Sequence, residues 1–413
     1  MTVGEHAATC AGCGLLCDDI IAVVGAGGGL DRLVHTCPLG DAWFAERVGP
    51  TAPAARVDGR EASLDEALDE AAVILGGARA PLVNGLGQAT CEAQRAAVAL
   101  ADAIGAVIDT AGGVLDGASG LAFQARGAST ATLGDIRDRA EVVVVWRADP
   151  VTTHPRLLER LRLPADGREL VVVDARRTAT AEQADTFVEL PADADLEALW
   201  TLRALVGEAP LGDPDALDPR LGELAARLRA CANGAILHHQ RGHVEALALH
   251  ALVRDLARVT HVVSATLRRE GNAAGAEDVL AWQTGYPSAV SFAEGHPRSS
   301  PGELSAAAVL ARGEADAALV VGSDPLDHLP DAAAGALRAI PFVSVDARDT
   351  ATAGAARVAF TSAAPGVHRA GVAHRLDGVP VPLRALLPSS RPSDEEVLGA
   401  IAGRLALLQE APA

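Results

Sequence analysis

Lysine is missing altogether from the 413 residues: every one of the 35 basic side chains is arginine. That removes the phosphate-gripping lysine of a P-loop, a Schiff base to a carbonyl or pyridoxal substrate, and a lysine general base. Acidic residues outnumber basic ones, 54 to 35, for a formal charge of −19. Such a balance excludes nucleic acid and anionic membrane surfaces as partners. Aromatic residues are scarce, with a single Tyr and four Trp, so each is expected to be packed with its polar tip partnered. No uncharged apolar run approaches the roughly 18 residues of a membrane span. The start, MTVGEHAATC, has neither the basic cluster nor the apolar core of a secretory signal. These absences predict a cytoplasmic protein whose six cysteines are metal ligands or free thiols rather than a disulfide frame.

What is present is α/β in character. Residues 141–190, EVVVVWRADPVTTHPRLLERLRLPADGRELVVVDARRTATAEQADTFVEL, read as two buried parallel strands, 142–145 and 170–173, joined through a helical segment at 155–163. Each strand ends in a polar turn, ADP at 148–150 and DARRTATA at 174–181, at the carboxyl end where open α/β sheets bind ligands. The pattern returns at 316–360, with Asp324-Pro325 after one strand and DARDTATA from Asp346 after the next. Strand, D-P turn, helix, strand, D-A-R-x-T-A-T-A occurs twice, which predicts two related α/β units. They are expected to face each other across a cleft, each offering Asp and Arg to half of a large pseudo-symmetric ligand.

Near the N-terminus, Cys10, Cys13, Cys17 and Cys37 are spaced C-x2-C-x3-C-x19-C. Thiols converging so closely in a reducing compartment imply a metal. The spacing suits a [4Fe-4S] cube better than the paired knuckles of zinc, which stays open as the alternative. Cys91, at a predicted helix start capped by Thr90, is read as a small buried residue or a reactive thiol. Cys231 with His238, His239, His243, His250 and His261 invites a zinc hypothesis, but the spacing favours surface or cleft histidines.

Three stretches carry a resemblance: CAGCGLLCDDI with HTCPLGDAWF (10–20 and 35–44), RREGNAAGAEDVLAWQTGYP (268–287) and HRLDGVPVPLR (374–384). They resemble the B subunit of formylmethanofuran dehydrogenase, within the molybdenum and tungsten pterin oxidoreductases, and the resemblance runs over essentially the whole chain. It implies an α/β fold of the formate dehydrogenase/DMSO reductase type: a small N-terminal iron–sulfur subdomain plus two Rossmann-like domains. The expected division is 1–55 for the cysteine-rich subdomain and 56–135 with 265–310 for a central domain. Residues 136–264 are expected to form the first nucleotide-type domain, and 311–413 the second together with the tail.

The resemblance assigns cofactor contacts to Asp149, Asp174, Arg176, Arg177, Thr178, Trp282, Thr284, Asp324 and Asp346, around a bis(pyranopterin guanine dinucleotide) holding tungsten or molybdenum. Arg269 is placed to meet a formate- or carbamate-like anion. Where the family carries V-C-H-G, with a metal-ligating Cys, this chain has Val114, Leu115, Asp116 and Gly117 on what reads as an extended loop. Leucine ligates no metal, and Asp in place of His removes an imidazole proton shuttle. Two functions follow from the resemblance. One is a non-redox subunit of a formyltransferase/hydrolase complex in one-carbon metabolism; the other is an active oxidoreductase interconverting CO2 and formate, with Asp116 as an oxygen ligand. Either implies a hetero-oligomer with an A-type amidohydrolase, C and D subunits and a methanofuran-type formyl carrier.

Overall fold

The computed structural model describes residues 3–49, 52–110, 113–210, 218–239 and 242–410, with the side chains of 113–118 outside that description. The chain divides into two compact units: one of 1–114, 270–375 and 380–413, the other of 115–269 with 376–379. No described helix is long and apolar enough to cross a membrane.

The second unit is built on a five-stranded parallel sheet. From edge to edge it runs Thr186–Glu189, Glu169–Asp174, Val142–Trp146, Asn233–His238, His261–Thr266. The continuous β-branched runs predicted as strands are there, and they are apolar throughout because both faces are covered. Val142, Val144, Val171 and Val173 pack with Leu199, Leu224 and Leu249 from the helices 195–206, 219–230 and 243–256. Val143, Val145 and Leu170, on the alternate positions, are equally buried. In chain order the strands lie 3-2-1-4-5, so the winding reverses between Val142–Trp146 and Asn233–His238. Open sheets of this kind take their ligands outside the carboxyl ends at that reversal.

The first unit holds a nine-stranded mixed sheet. Its parallel centre is Val107–Thr110, Pro81–Gly85, Ala317–Val321, Phe342–Asp346 and Val358–Thr361, which lie 2-1-3-4-5 in chain order. The reversal here falls between Pro81–Gly85 and Ala317–Val321. Gly85, at φ +113°, makes the close approach possible: a Cβ there would sit 2.5 Å from the Val321 carbonyl oxygen. Short antiparallel strands close both ends, Val290–Ser291 with Arg298–Ser299 on one side and Ala55–Val57 with Arg60–Glu61 on the other. A separate antiparallel sheet of Gly4–Cys10, Cys17–Val24 and Leu30–Val34 belongs to this unit as well.

Two expectations are corrected. Residues 311–413 were expected to form a unit apart from 56–135 with 265–310, yet strands of the two pair directly in one sheet, Ala318 with Leu82 and Val320 with Asn84. The stretch with Leu115 and Asp116, expected as an extended loop, is the helix Gly113–Arg126.

Candidate functional site

The repeated turns are the same structure built twice. In the second unit, Asp149 Oδ1 accepts from the backbone N–H of Thr180 at 2.9 Å and from its hydroxyl at 2.5 Å, and Thr180 Oγ1 accepts from Val151 N at 3.1 Å. In the first unit, Asp324 Oδ1 accepts from Thr352 N at 2.9 Å and its hydroxyl at 2.5 Å, and Thr352 Oγ1 accepts from Leu326 N at 3.2 Å. Thr178 and Thr350 cap the next turn alike, accepting from Ala181 N and Ala353 N. Each D-P aspartate thus clasps its strand end to the following turn, and Thr152 also donates to Asp149 Oδ2 at 2.7 Å. These hydrogen bonds hold the Asp149 carboxyl below its usual range against the opposing effect of burial. Asp149 and Asp324, expected as ligand contacts, spend their acceptors on their own loops.

The D-A-R ends differ. Asp174 Oδ1 accepts from the backbone N–H groups of Ala175 at 2.7 Å and Arg176 at 3.3 Å. Arg176 is exposed and Arg177 lies over the Phe187 ring at 5.0 Å. Asp346, by contrast, is buried and grips Arg348 in a bidentate pair at 3.0 and 2.9 Å. Asp349, at the position of Arg177, pairs with Arg56 at 2.6 Å.

At the second unit's reversal the strand ends carry Arg147 and His238. Arg147 is committed to Asp195 at 2.8 Å and to the carbonyls of Leu190 and Pro191. His238 and His250, expected at the surface or in a cleft, are buried, their rings edge to face with centroids 6.0 Å apart. Among the described residues neither ring of the pair has a hydrogen-bond partner. Burial pushes His250 down to about 4 and His238 well below the ordinary imidazole range. His154 is also buried; it donates from Nε2 to the Arg268 carbonyl at 2.7 Å and is pushed to about 4 by burial, with the charge of Arg269 adding. Arg269 itself is exposed. Cys231, in the set that invited a zinc hypothesis, is buried and donates to the Leu228 carbonyl at 3.3 Å.

At the first unit's reversal three segments gather. The loop 86–90 leads into the helix Cys91–Ala103, and Asn272 N donates to the Gly87 carbonyl at 2.8 Å. Trp43 Nε1 donates to Gln88 Oε1 at 3.2 Å, and Arg47 lies 4.6 Å from the Trp43 ring centroid. Burial and the nearby Arg348 lower Arg47 to about 10. Trp282 is exposed and stands edge-on to His374, while the Thr284 hydroxyl closes its own helix by donating to the Leu280 carbonyl at 2.7 Å. Neither position was separable from its helix in the sequence.

The four N-terminal cysteines are neighbours. Cys10 and Cys17 face each other across the hairpin, and Cys37 is the N-cap of the helix Pro38–Val48. Gly12 N donates to Cys10 Sγ and Gly40 N to Cys37 Sγ, both at 3.4 Å. Burial and the three neighbouring thiols push Cys10 far up. Soft sulfur donors with N–H groups turned toward them suit a thiophilic metal or cluster. As they stand, however, no three His, Cys, Asp or Glu among the described residues are spaced to hold a metal ion. Leu115 and Asp116 lie on the helix Gly113–Arg126, their side chains outside the described residues.

No family model matches the chain. It is 33% identical over 416 residues to the B subunit of tungsten-containing formylmethanofuran dehydrogenase 2 of Methanocaldococcus jannaschii, covering 94% of this chain and 95% of that one. With the B subunit of the formyltransferase/hydrolase complex Fhc of Methylorubrum extorquens it shares 31% over 283 residues, 66% of this chain and 75% of the other. Among solved structures it is similar to a chain of the formyltransferase/hydrolase complex FhcABCD from M. extorquens in complex with methylofuran. There the TM-score is 0.74 at 27% identity, over 87% of this chain and 100% of that one. Acetylene hydratase from Pelobacter acetylenicus shares the fold, with TM-score 0.69 at 15% identity over 98% of this chain and 70% of its own.

Proposed function

The chain belongs to the family of formylmethanofuran dehydrogenase B subunits, and from that premise we propose that it is the non-redox B subunit of a formyltransferase/hydrolase complex. It would assemble with A-type amidohydrolase, C and D subunits and support the handling of formyl groups on a methanofuran-type carrier. The observation that carries this reading is Leu115 with Asp116, where the resemblance places the metal-ligating Cys and its His neighbour. The match to a whole chain of a formyltransferase/hydrolase complex supports it.

The second reading, an active tungsten or molybdenum oxidoreductase, rests on the 33% identity to a tungsten-containing relative and on the four neighbouring cysteines. In that case Asp174, Arg176, Arg177 and Thr178 would hold one guanine dinucleotide. Asp346 and Arg348 would stand at the corresponding turn, and the pterin would supply the metal at which redox chemistry occurs. Cys10, Cys13, Cys17 and Cys37 are proposed as the ligands of a [4Fe-4S] cluster in either case, with zinc as the alternative occupant.

Metal counting on the complex purified without oxygen separates these. About four irons per chain with neither tungsten nor molybdenum supports the non-redox reading. One tungsten or molybdenum per chain overturns it and directs attention to Asp116. Zinc without iron keeps the function and replaces the cluster.

A further inference from the structure

A second chemistry is built at the first unit's strand reversal. The helix after Pro81–Gly85 begins at Cys91, with Thr90 as its N-cap. Strand Gly371–His374 crosses this helix start so closely that a Cβ on Gly371 would lie 2.5 Å from Thr90 Cγ2. Glycine allows the passage, and the strand's last residue, His374, reaches the Cys91 thiol. His374 Nδ1 pairs with Asp278 Oδ2 at 2.6 Å, which leaves Nε2 to serve the sulfur. Asn272 completes the set: its Oδ1 accepts from His374 N at 2.7 Å, and its Nδ2 donates to the Ala89 carbonyl at 2.7 Å and to Cys91 Sγ at 3.6 Å. One turn beyond Asp278, Trp282 stands 65% exposed with its ring centroid 5.4 Å from His374. The thiol, at the start of a 13-residue helix, thus has two side chains as hydrogen-bond partners, His374 and Asn272, and it also lies 3.9 Å from Asn272 Oδ1 as a donor. There the first-turn N–H groups of Cys91 and Glu92 lack intrahelical carbonyls.

We propose that Cys91, His374 and Asp278 form a nucleophilic thiol site for a small activated acyl group, an ester or thioester carbonyl. The sulfur attacks the carbonyl carbon, and an S–C bond forms as the bond from that carbon to the leaving oxygen or sulfur breaks. The protonated His374 ring gives its proton to the leaving group and the thiol proton replaces it, so the ring ends as it began, and no electrons are exchanged with a redox partner. The first-turn N–H groups stand beside the sulfur for the developing oxyanion. Asp278 is a positioning residue that fixes the imidazole. Two hydrogen bonds, to Asp278 and then to Cys91, hold His374 up at about 10, so the ring carries the proton the leaving group needs. This site depends on neither a pterin nor a cluster.

The test treats the assembled complex with limiting p-nitrophenyl acetate and maps the acetyl group by peptide mass spectrometry. Cys231, as buried as Cys91 at 6% against 7% exposure but donating to the Leu228 carbonyl, is the internal reference. The expected result is acetylation of Cys91 well ahead of Cys231, with matching nitrophenol release that Cys91→Ser abolishes. His374→Gln should slow it by about tenfold or more. Asp278→Asn should slow it less, with Asp278→Glu restoring the rate, a recovery that a merely structural role would not give. Cys91 reacting no faster than Cys231, or at an unchanged rate in His374→Gln, overturns the proposal. Should His374→Gln not fold, the Asp278 pair decides, since that carboxylate is 42% exposed and tolerates exchange.

Discussion

In the five-stranded sheet the turn after Glu169–Asp174 leaves Asp174 half-buried and sends Arg176 into solvent. In the nine-stranded sheet the turn after Phe342–Asp346 folds Arg348 back onto a buried Asp346. The aspartate–threonine clasp beneath the two is the same to within about 0.1 Å in each hydrogen bond. One sequence motif thus sets the backbone, and the surroundings decide what its charged end does. In the first unit Arg47 and Glu270 crowd the turn and the arginine is consumed internally. In the second, Arg176 and Arg177 stay exposed.

The largest effect expected from breaking this contrast is on stability. Asp346→Asn strands the guanidinium of Arg348 and should cost about 3–5 kcal/mol, whereas Asp174→Asn should cost less than about 1 kcal/mol. Denaturant unfolding of the two variants measures the difference, and equal losses would show the turns to be equivalent after all.

Acid should discriminate between the units next. His154, His238 and His250 are held neutral below the unfolded value of 6.5. Their contribution is therefore whole above pH 6.5 and is lost as pH falls below it, toward about 4 for His154 and His250, by on the order of a few kcal/mol in all. The first unit runs the other way. Asp109 and Asp394 are raised by burial to about 6 and about 7, so what they contribute is present below their unfolded value of 3.8 and lost as pH rises through 6 to 7. The contribution of His374 is lost only as pH rises from 6.5 through about 10. Amide protection factors, corrected for the intrinsic exchange rate at each pH, should fall from pH 7 to pH 5 in strands 142–146 and 233–238 more than in 317–321 and 342–346. A uniform response would count against it.

Smaller and symmetric losses are expected from the clasps. Thr180→Val and Thr352→Val each leave a half-buried carboxylate short of a donor, for about 1 kcal/mol in either unit. A large asymmetry between them, seen by thermal melting, would mean that the repeat is only superficial. Smallest in stability, within about 0.5 kcal/mol, is Arg176→Ala with Arg177→Ala. That double variant should nevertheless weaken binding of guanosine monophosphate, read by calorimetry, and unchanged affinity would remove the turn from the phosphate contacts.

How much of this was legible follows from what kind of contact carries it. The strands at 142–146 and 169–174 announce themselves as unbroken β-branched runs, and the twin D-A-R-x-T-A-T-A turns fix their own loops through residues close in sequence. The threonines Thr180 and Thr352 recur identically in both copies, and that recurrence was the available sign that the aspartates are clasped rather than free. The merging of 317–361 with 81–110 in one sheet was not legible, because strand neighbourhood across two hundred positions leaves no mark in either run. The same holds for Cys91 with His374: each reads locally as an ordinary helix start or strand end, and only the crossing at Gly371 joins them. His238 reads as solvated because a second histidine follows it, whereas it ends a strand covered on both faces.

The outermost strands of the nine-stranded sheet are two residues long, Arg298–Ser299 and Arg60–Glu61, and both are charged. So short and polar a margin offers an incoming chain almost no unpaired peptide ladder to extend. Along this sheet, any contact with another chain would have to be written in side chains, on helix faces and loops, where specificity is cheap to tune and edge-to-edge polymerisation has no template.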